Sequence, residues 1–119
     1  MAWEVEYTDE FGEWFAALDD RMARAVSAAV DLLVRRGPHL TFPYSTAIET
    51  SRYAHMRELR RQHDGRPLRV LYAFDPRRTA ILLLGGDKTG DDRWYEVQVP
   101  IADQLYAEHL ETLRKEGLI

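Results

Sequence analysis

The apolar positions of this chain change period several times, and each change marks a predicted element. Trp3, Val5 and Tyr7 alternate with Glu4 and Glu6, the period-two pattern of a half-buried strand. Phe11, Trp14, Phe15 and Leu18 then recur at i, i+3, i+4 and i+7. That is one stripe of a short helix, which Thr8 or Asp9 can cap. Met22, Val26, Ala29, Val30 and Leu33 define a second helix, capped by Asp19 or Asp20. Arg35 and Arg36 suit its negative C-terminal end, and Gly37-Pro38 stops it. So few residues separate the two helices that a hairpin is expected.

Residues 38 to about 53 have no clear period. Pro38, Pro43 and Ser45 read as loop, with His39, Phe42 and Tyr44 able to fold back over a sheet. A three-stranded meander follows between Arg57 and Lys88, with turns at Gly65-Arg66-Pro67 and Asp75-Pro76-Arg77-Arg78. In its middle strand Val70, Tyr72 and Phe74 share one face, and Arg69, Leu71 and Ala73 the other. In its first strand Leu59 is expected to face the helices, with Glu58 and Arg60 on the opposite side. Arg57 shares Leu59's side unless a bulge or strand end turns it out. The run 80–84 is apolar on both faces and should be the most buried strand. Residues 94–99 read either as a short extended piece or as the start of a helix. From Pro100 or Ile101 a helix is expected, burying Ala102, Leu105, Tyr106, His109, Leu110 and Leu113 and ending at Gly117. The pattern predicts a single α+β domain over residues 1–119. Its small antiparallel sheet is the N-terminal strand plus the meander, flanked by the helical hairpin and a C-terminal helix.

Composition narrows the chemistry. There is no cysteine, so disulfides and thiolate metal sites are excluded and a cytoplasmic home is allowed. The start lacks the basic and apolar regions of a signal peptide, and no apolar run approaches the roughly 20 residues needed to span a membrane. The four histidines, His39, His55, His63 and His109, have no metal-binding spacing, and no metal or cofactor is expected. No Gly-x-Ser-x-Gly elbow is present. The run from Gly85 to Asp92 has the composition of a phosphate loop but not its spacing.

The net charge of −4 argues against a general nucleic-acid binder, but its distribution is uneven. Residues 52–93 hold ten basic and six acidic side chains, whereas both flanks are acidic. Arg60 and Arg69 lie on adjacent strands and can share a face; Lys88 leaves the next strand, and Arg93 and Tyr95 follow. Cations fixed on a sheet face can hold a phosphodiester and stabilise charge developing on it. An RNA substrate brings its own 2′-hydroxyl nucleophile, so the protein need supply only proton transfer and charge. A lysine among arginines, its pKa lowered by them, suits the role of base. The alternative is that Arg57, Arg60 and Arg69 only form salt bridges with Glu58, Asp64 and Asp75.

Four runs carry a family resemblance: residues 56–60, 65–76, 84–90 and 101–110. Met56-Arg57-Glu58-Leu59-Arg60 and Leu84-Gly85-Gly86-Asp87-Lys88-Thr89-Gly90 are the most telling of them. In these runs and in element order the chain resembles the RelE/ParE toxin superfamily, and more closely its phage-derived HigB-like branch. The resemblance implies a RelE-like fold and a toxin of a type II toxin–antitoxin pair. It implies a metal-independent mRNA endoribonuclease (mRNA interferase) that enters the ribosomal A site and inhibits translation. It also implies a HigA-like helix-turn-helix antitoxin partner, with operator DNA bound only through that partner. Arg69 falls at the family's strand arginine, and Arg60 and Lys88 at basic positions near the scissile link. Arg57, Arg93 and Tyr95 are further carry-overs, and Arg61 and Arg66 join the expected phosphate-binding set. The chain departs from the strongly basic members with a pI near 5.5. Two other functions stay open: a ParE-like gyrase inhibitor without catalysis, and a degenerate toxin that only binds its antitoxin.

Overall fold

The computed structural model describes residues 2–119. Among them one mixed sheet is sandwiched between helices. Strand β1 (Val5–Tyr7) leads into helices α1 (Asp9–Ala16) and α2 (Asp20–Arg36). Strands β2 (Ser45–Ala47), β3 (Arg57–His63), β4 (Arg66–Phe74) and β5 (Ala80–Asp87) follow, and α3 (Trp94–Lys115) closes the order. The sheet order is β1-β5-β4-β3-β2. The meander β3-β4-β5 is antiparallel, as its turns require, while β1 adds to β5 in parallel. The expected α+β arrangement is therefore present, except that the parallel β1 makes the sheet mixed rather than antiparallel, and with two further changes.

First, part of the segment read as loop forms a strand. β2 pairs antiparallel with β3, Ser45 opposite Leu59 and Thr46 opposite Glu58. Its three residues are too few for a period to show, and side-chain bonds across the sheet hold it: Ser45 Oγ to Tyr72 Oη at 2.6 Å and Thr46 Oγ1 to Glu58 at 2.7 Å. Second, α3 begins at Trp94, and Pro100 lies inside the helix rather than near its start. Proline removes one intrahelical donor, a loss that tertiary packing of the first turn can offset.

Capping follows the sequence. Thr8 accepts from Phe11 N at the start of α1, and Asp19 from Met22 N at the start of α2. Gly37 takes φ +54 as α2 ends, a conformation that favours glycine. The two sheet faces bury separate clusters. Phe11, Val26, Leu33, Leu59, Val70 and Tyr72 meet on the α1–α2 side. Met56, Leu71, Ile81, Leu83, Trp94 and Tyr106 meet on the α3 side. The face opposite the hairpin is thus half covered by α3, and only its β2–β3 end stays open.

A bulge in β5 sets the geometry at that end. Leu71 pairs with Leu84 and Tyr72 with Leu82, so Leu83 is an extra residue. Leu83 and Leu84 both turn toward α3. Beyond the bulge Gly85 lies under the Trp14 ring and Gly86 under Trp94. A Cβ at Gly86 would sit 2.5 Å from Trp94 Nε1. Gly86→Ala is expected to cost about 1–3 kcal/mol by forcing the indole outward. Urea denaturation of the purified variant measures this, and an unchanged midpoint would show that the helix start is not seated on this glycine. Among the described residues no helix is long and apolar enough to cross a membrane.

Candidate nucleic-acid cleavage site

Arg60 and Arg69 are direct partners across β3 and β4, so the sheet's alternation puts both on the α3 side. Glu58, two residues before Arg60, shares that side. Its carboxylate lies 3.3 Å from Arg69 Nε and 3.5 Å from Arg60 Nη1. It also accepts hydrogen bonds from Tyr95 Oη at 2.6 Å and Thr46 Oγ1 at 2.7 Å. Tyr95 reaches this point because it stands in the first turn of α3, one residue after the Trp94 seated on Gly86.

Arg69 is the most enclosed of the cations, its side chain 6% exposed. Its Nε also donates to Tyr95 Oη at 3.2 Å and its Nη1 to Leu68 O at 3.0 Å. Arg60 is more open, at 34%. Lys88 arrives from the end of β5, its ammonium 5.5 Å from the Tyr95 ring centroid. Arg60 and Arg69 thus share the single carboxylate of Glu58, and Lys88 lies beside the ring of Tyr95, whose hydroxyl donates to the same carboxylate. Burial first, and then the Glu58 carboxylate it donates to, push the Tyr95 phenol above its ordinary range. Tyr95 therefore serves as a fixed hydrogen-bond donor at neutral pH.

Beside the cluster lies a groove of about 170 Å³, lined by Phe42, Pro43, Arg60, Arg61, Gln62 and Arg69. Arg61 also lines this groove, but its pairing with Leu68 directs its side chain to the hairpin side, and its Nε is buried with no hydrogen-bond partner. A larger apolar cleft of about 630 Å³ lies between β1, α1 and α2, but no cation lines it.

The remaining residues expected to bind phosphate lie apart from this groove. Arg57 is on the hairpin side, its Nε bonded to Ser45 Oγ at 3.0 Å, in the place that strand parity assigns it. Arg66 pairs with Asp87 at the β3–β4 turn, 3.7 Å away. Arg93 is exposed and pairs with Glu96 at 2.8 Å. The salt-bridge alternative is realised in part, since Arg60 and Arg69 do pair with Glu58 while the groove beside them stays open. Sequence alone offers Glu58 as a salt-bridge partner of these arginines but does not reveal its bonds to Tyr95 and Thr46. The signal for its role was its parity with Arg60 on a strand whose neighbour carries Arg69.

The description "Phage derived protein Gp49-like (DUF891)" matches residues 13–107. A protein of Mycobacterium tuberculosis (strain ATCC 25618 / H37Rv), named as the candidate toxin HigB3, is 48% identical over 102 residues. That match covers 81% of this chain and 88% of the relative. The candidate toxin HigB2 of the same organism is 37% identical over 112 residues, 92% of this chain. The chain spans only 55% of that longer relative. Among solved structures, the toxin–antitoxin complex RelBE2 of Mycobacterium tuberculosis contains a chain of the same fold. Its TM-score is 0.57 at 19% identity, covering 73% of this chain and 99% of that one. By sequence the chain belongs to the phage-derived Gp49-like family, within the HigB-related branch of proteins that share the RelE fold.

Proposed function

We propose that this protein is the toxin of a type II toxin–antitoxin pair and acts as a metal-independent mRNA endoribonuclease. The observation that carries the reading is the joint placement of Arg60 and Arg69, locked by Glu58, on an open groove with Lys88 beside it. Two guanidiniums can hold the non-bridging oxygens of a phosphodiester and stabilise the added charge as a ribose 2′-oxygen attacks the adjacent phosphorus. The chain then breaks to a 2′,3′-cyclic phosphate and a free 5′-hydroxyl. In this reading the Lys88 amine takes the 2′-hydroxyl proton and returns it to the leaving 5′-oxygen. Glu58 fixes both arginines, and Tyr95 fixes Glu58, so the cations need little rearrangement when charge develops.

The positive segment 52–93 lies between acidic flanks, which suits local attraction of RNA in a chain of net charge −4. The HigB-type relatives and the RelBE2 complex support an antitoxin partner. A HigA-like helix-turn-helix protein fits the branch, and action on mRNA at the ribosome belongs to the same reading. Brief induction in bacterial cells is expected to arrest growth and to leave mRNA fragments with new 5′-hydroxyl ends, read by mapping those ends. Purified protein is expected to leave gyrase supercoiling unchanged. Intact mRNA together with inhibited gyrase would reverse the proposal in favour of a ParE-like role.

A further inference from the structure

One uncovered aromatic side chain lines the groove, and a second follows it on the same loop. Phe42 is 71% exposed and Tyr44 42%. Sequence alone suggested that they fold back over the sheet, but neither does. The loop that carries them is pinned at both ends by buried Leu40 and Ser45. It is closed by Tyr44 N and Ser45 N, both donating to Thr41 O at 3.0 and 3.1 Å. Tyr44 also continues the strand row, since Arg60 N donates to Tyr44 O at 2.8 Å. Each ring lies beside a guanidinium: Arg60 is 5.9 Å from the Phe42 centroid and Arg36 5.8 Å from that of Tyr44. Single exposed apolar residues are ordinary, but Phe42 stands on a fixed loop, lines a cationic groove and lies beside Arg60, whereas Tyr44 lies beside Arg36 of α2 and outside the groove lining. Alternating rings and guanidiniums are the chemistry that binds unpaired bases, because every base has a face to stack while Arg holds the backbone.

We propose that Phe42 is a positioning residue that stacks a base flanking the scissile phosphate. The inference rests on the ribonuclease reading above and deepens it. In a duplex the base faces are already stacked, so this ring would have nothing to take. Selection is expected to be for unpaired bases rather than for a particular base.

The test uses a short synthetic mRNA with one cut site, free or on programmed ribosomes, whichever the wild-type protein cleaves. Each nucleotide flanking the cut is replaced in turn by an abasic one that keeps the phosphate. At one position the wild-type kcat/KM is expected to fall by about tenfold, carried by KM. Phe42→Ala should show a similar loss on intact RNA and no further loss on that abasic RNA, whereas Phe42→Trp should keep wild-type values. Tyr44→Ala, outside the groove lining, should cleave intact RNA as wild type does. Equal losses on intact and abasic RNA, or none on either, with Arg69→Ala inactive, would overturn stacking and leave the nuclease reading standing. Unchanged cleavage by Phe42→Ala would assign the ring to a protein contact instead. If wild type and Arg69→Ala both fail to cut any RNA, both proposals fall.

Discussion

Arg69→Ala is expected to lower RNA cleavage by about two to three orders of magnitude, the usual cost of removing one pre-placed charge-stabilising donor. Arg69 is the most enclosed cation of the groove and is held by Glu58, Tyr95 and the Leu68 carbonyl. Its guanidinium therefore has little freedom to lose when a phosphate arrives. The variant should stay folded, because Glu58 keeps Tyr95, Thr46 and Arg60 as partners. Arg69→Lys should rank between wild type and alanine: it keeps the charge but cannot offer the two-pronged contact. Arg60→Ala, at a more open position, should cost less. The measurement is single-turnover cleavage of a defined RNA, with growth after induction at matched expression as a second readout. Full activity of Arg69→Ala would remove the basis for the proposed chemistry.

That prediction was reachable from strand parity alone, because Arg60 and Arg69 sit at positions whose side-chain direction an antiparallel meander fixes. The helices were equally legible: α1 and α2 carry wide apolar stripes and end in capping residues that act locally. What could not be read depends on distant partners. The strand Ser45–Ala47 exists because Tyr72 and Glu58 bond its hydroxyls, and nothing in its own three residues marks it. The start of α3 was ambiguous because Pro100 suggests a boundary, while the contact that seats Trp94 is with Gly86 on another element. Glu58 was legible as a salt-bridge partner, but its bonds to Tyr95 and Thr46 join separate elements and left no local signal. The elements followed local rules, and the site's second layer is made of contacts between them.

The largest effect on stability is expected at Asp75, which joins three parts of the fold. Its carboxylate is fully buried in the β4–β5 turn. Arg77 donates to it from Nε and Nη2 at 3.0 and 2.8 Å, and His109 of α3 lies 2.9 Å away. The backbone N–H groups of Arg77 and Thr79 complete the shell, at 2.8 and 3.2 Å. Arg77 carries the connection on to Glu6 of β1, 2.8 Å away. Burial alone would raise the Asp75 pKa. The hydrogen bonds from Arg77, then His109 and Thr79, outweigh it and hold the group below the ordinary carboxylate range. A folded pKa below the unfolded value of about 3.9 means that the ionised form stabilises the fold above that pH. The contribution is lost as pH falls through the lower folded value. Asp75→Asn keeps the shape but removes the charge facing Arg77. Breaking one partner of a buried ion pair costs about 3–5 kcal/mol, on the order of a 10–20 °C fall in Tm for a chain of this size. The gap between wild type and variant should therefore be full at pH 7 and shrink below about pH 3.9, as the wild-type carboxyl takes up a proton. Urea denaturation of both proteins at pH 7 and pH 3 measures that gap. A gap of the same size at both pH values would mean that Asp75 acts through packing rather than through its charge.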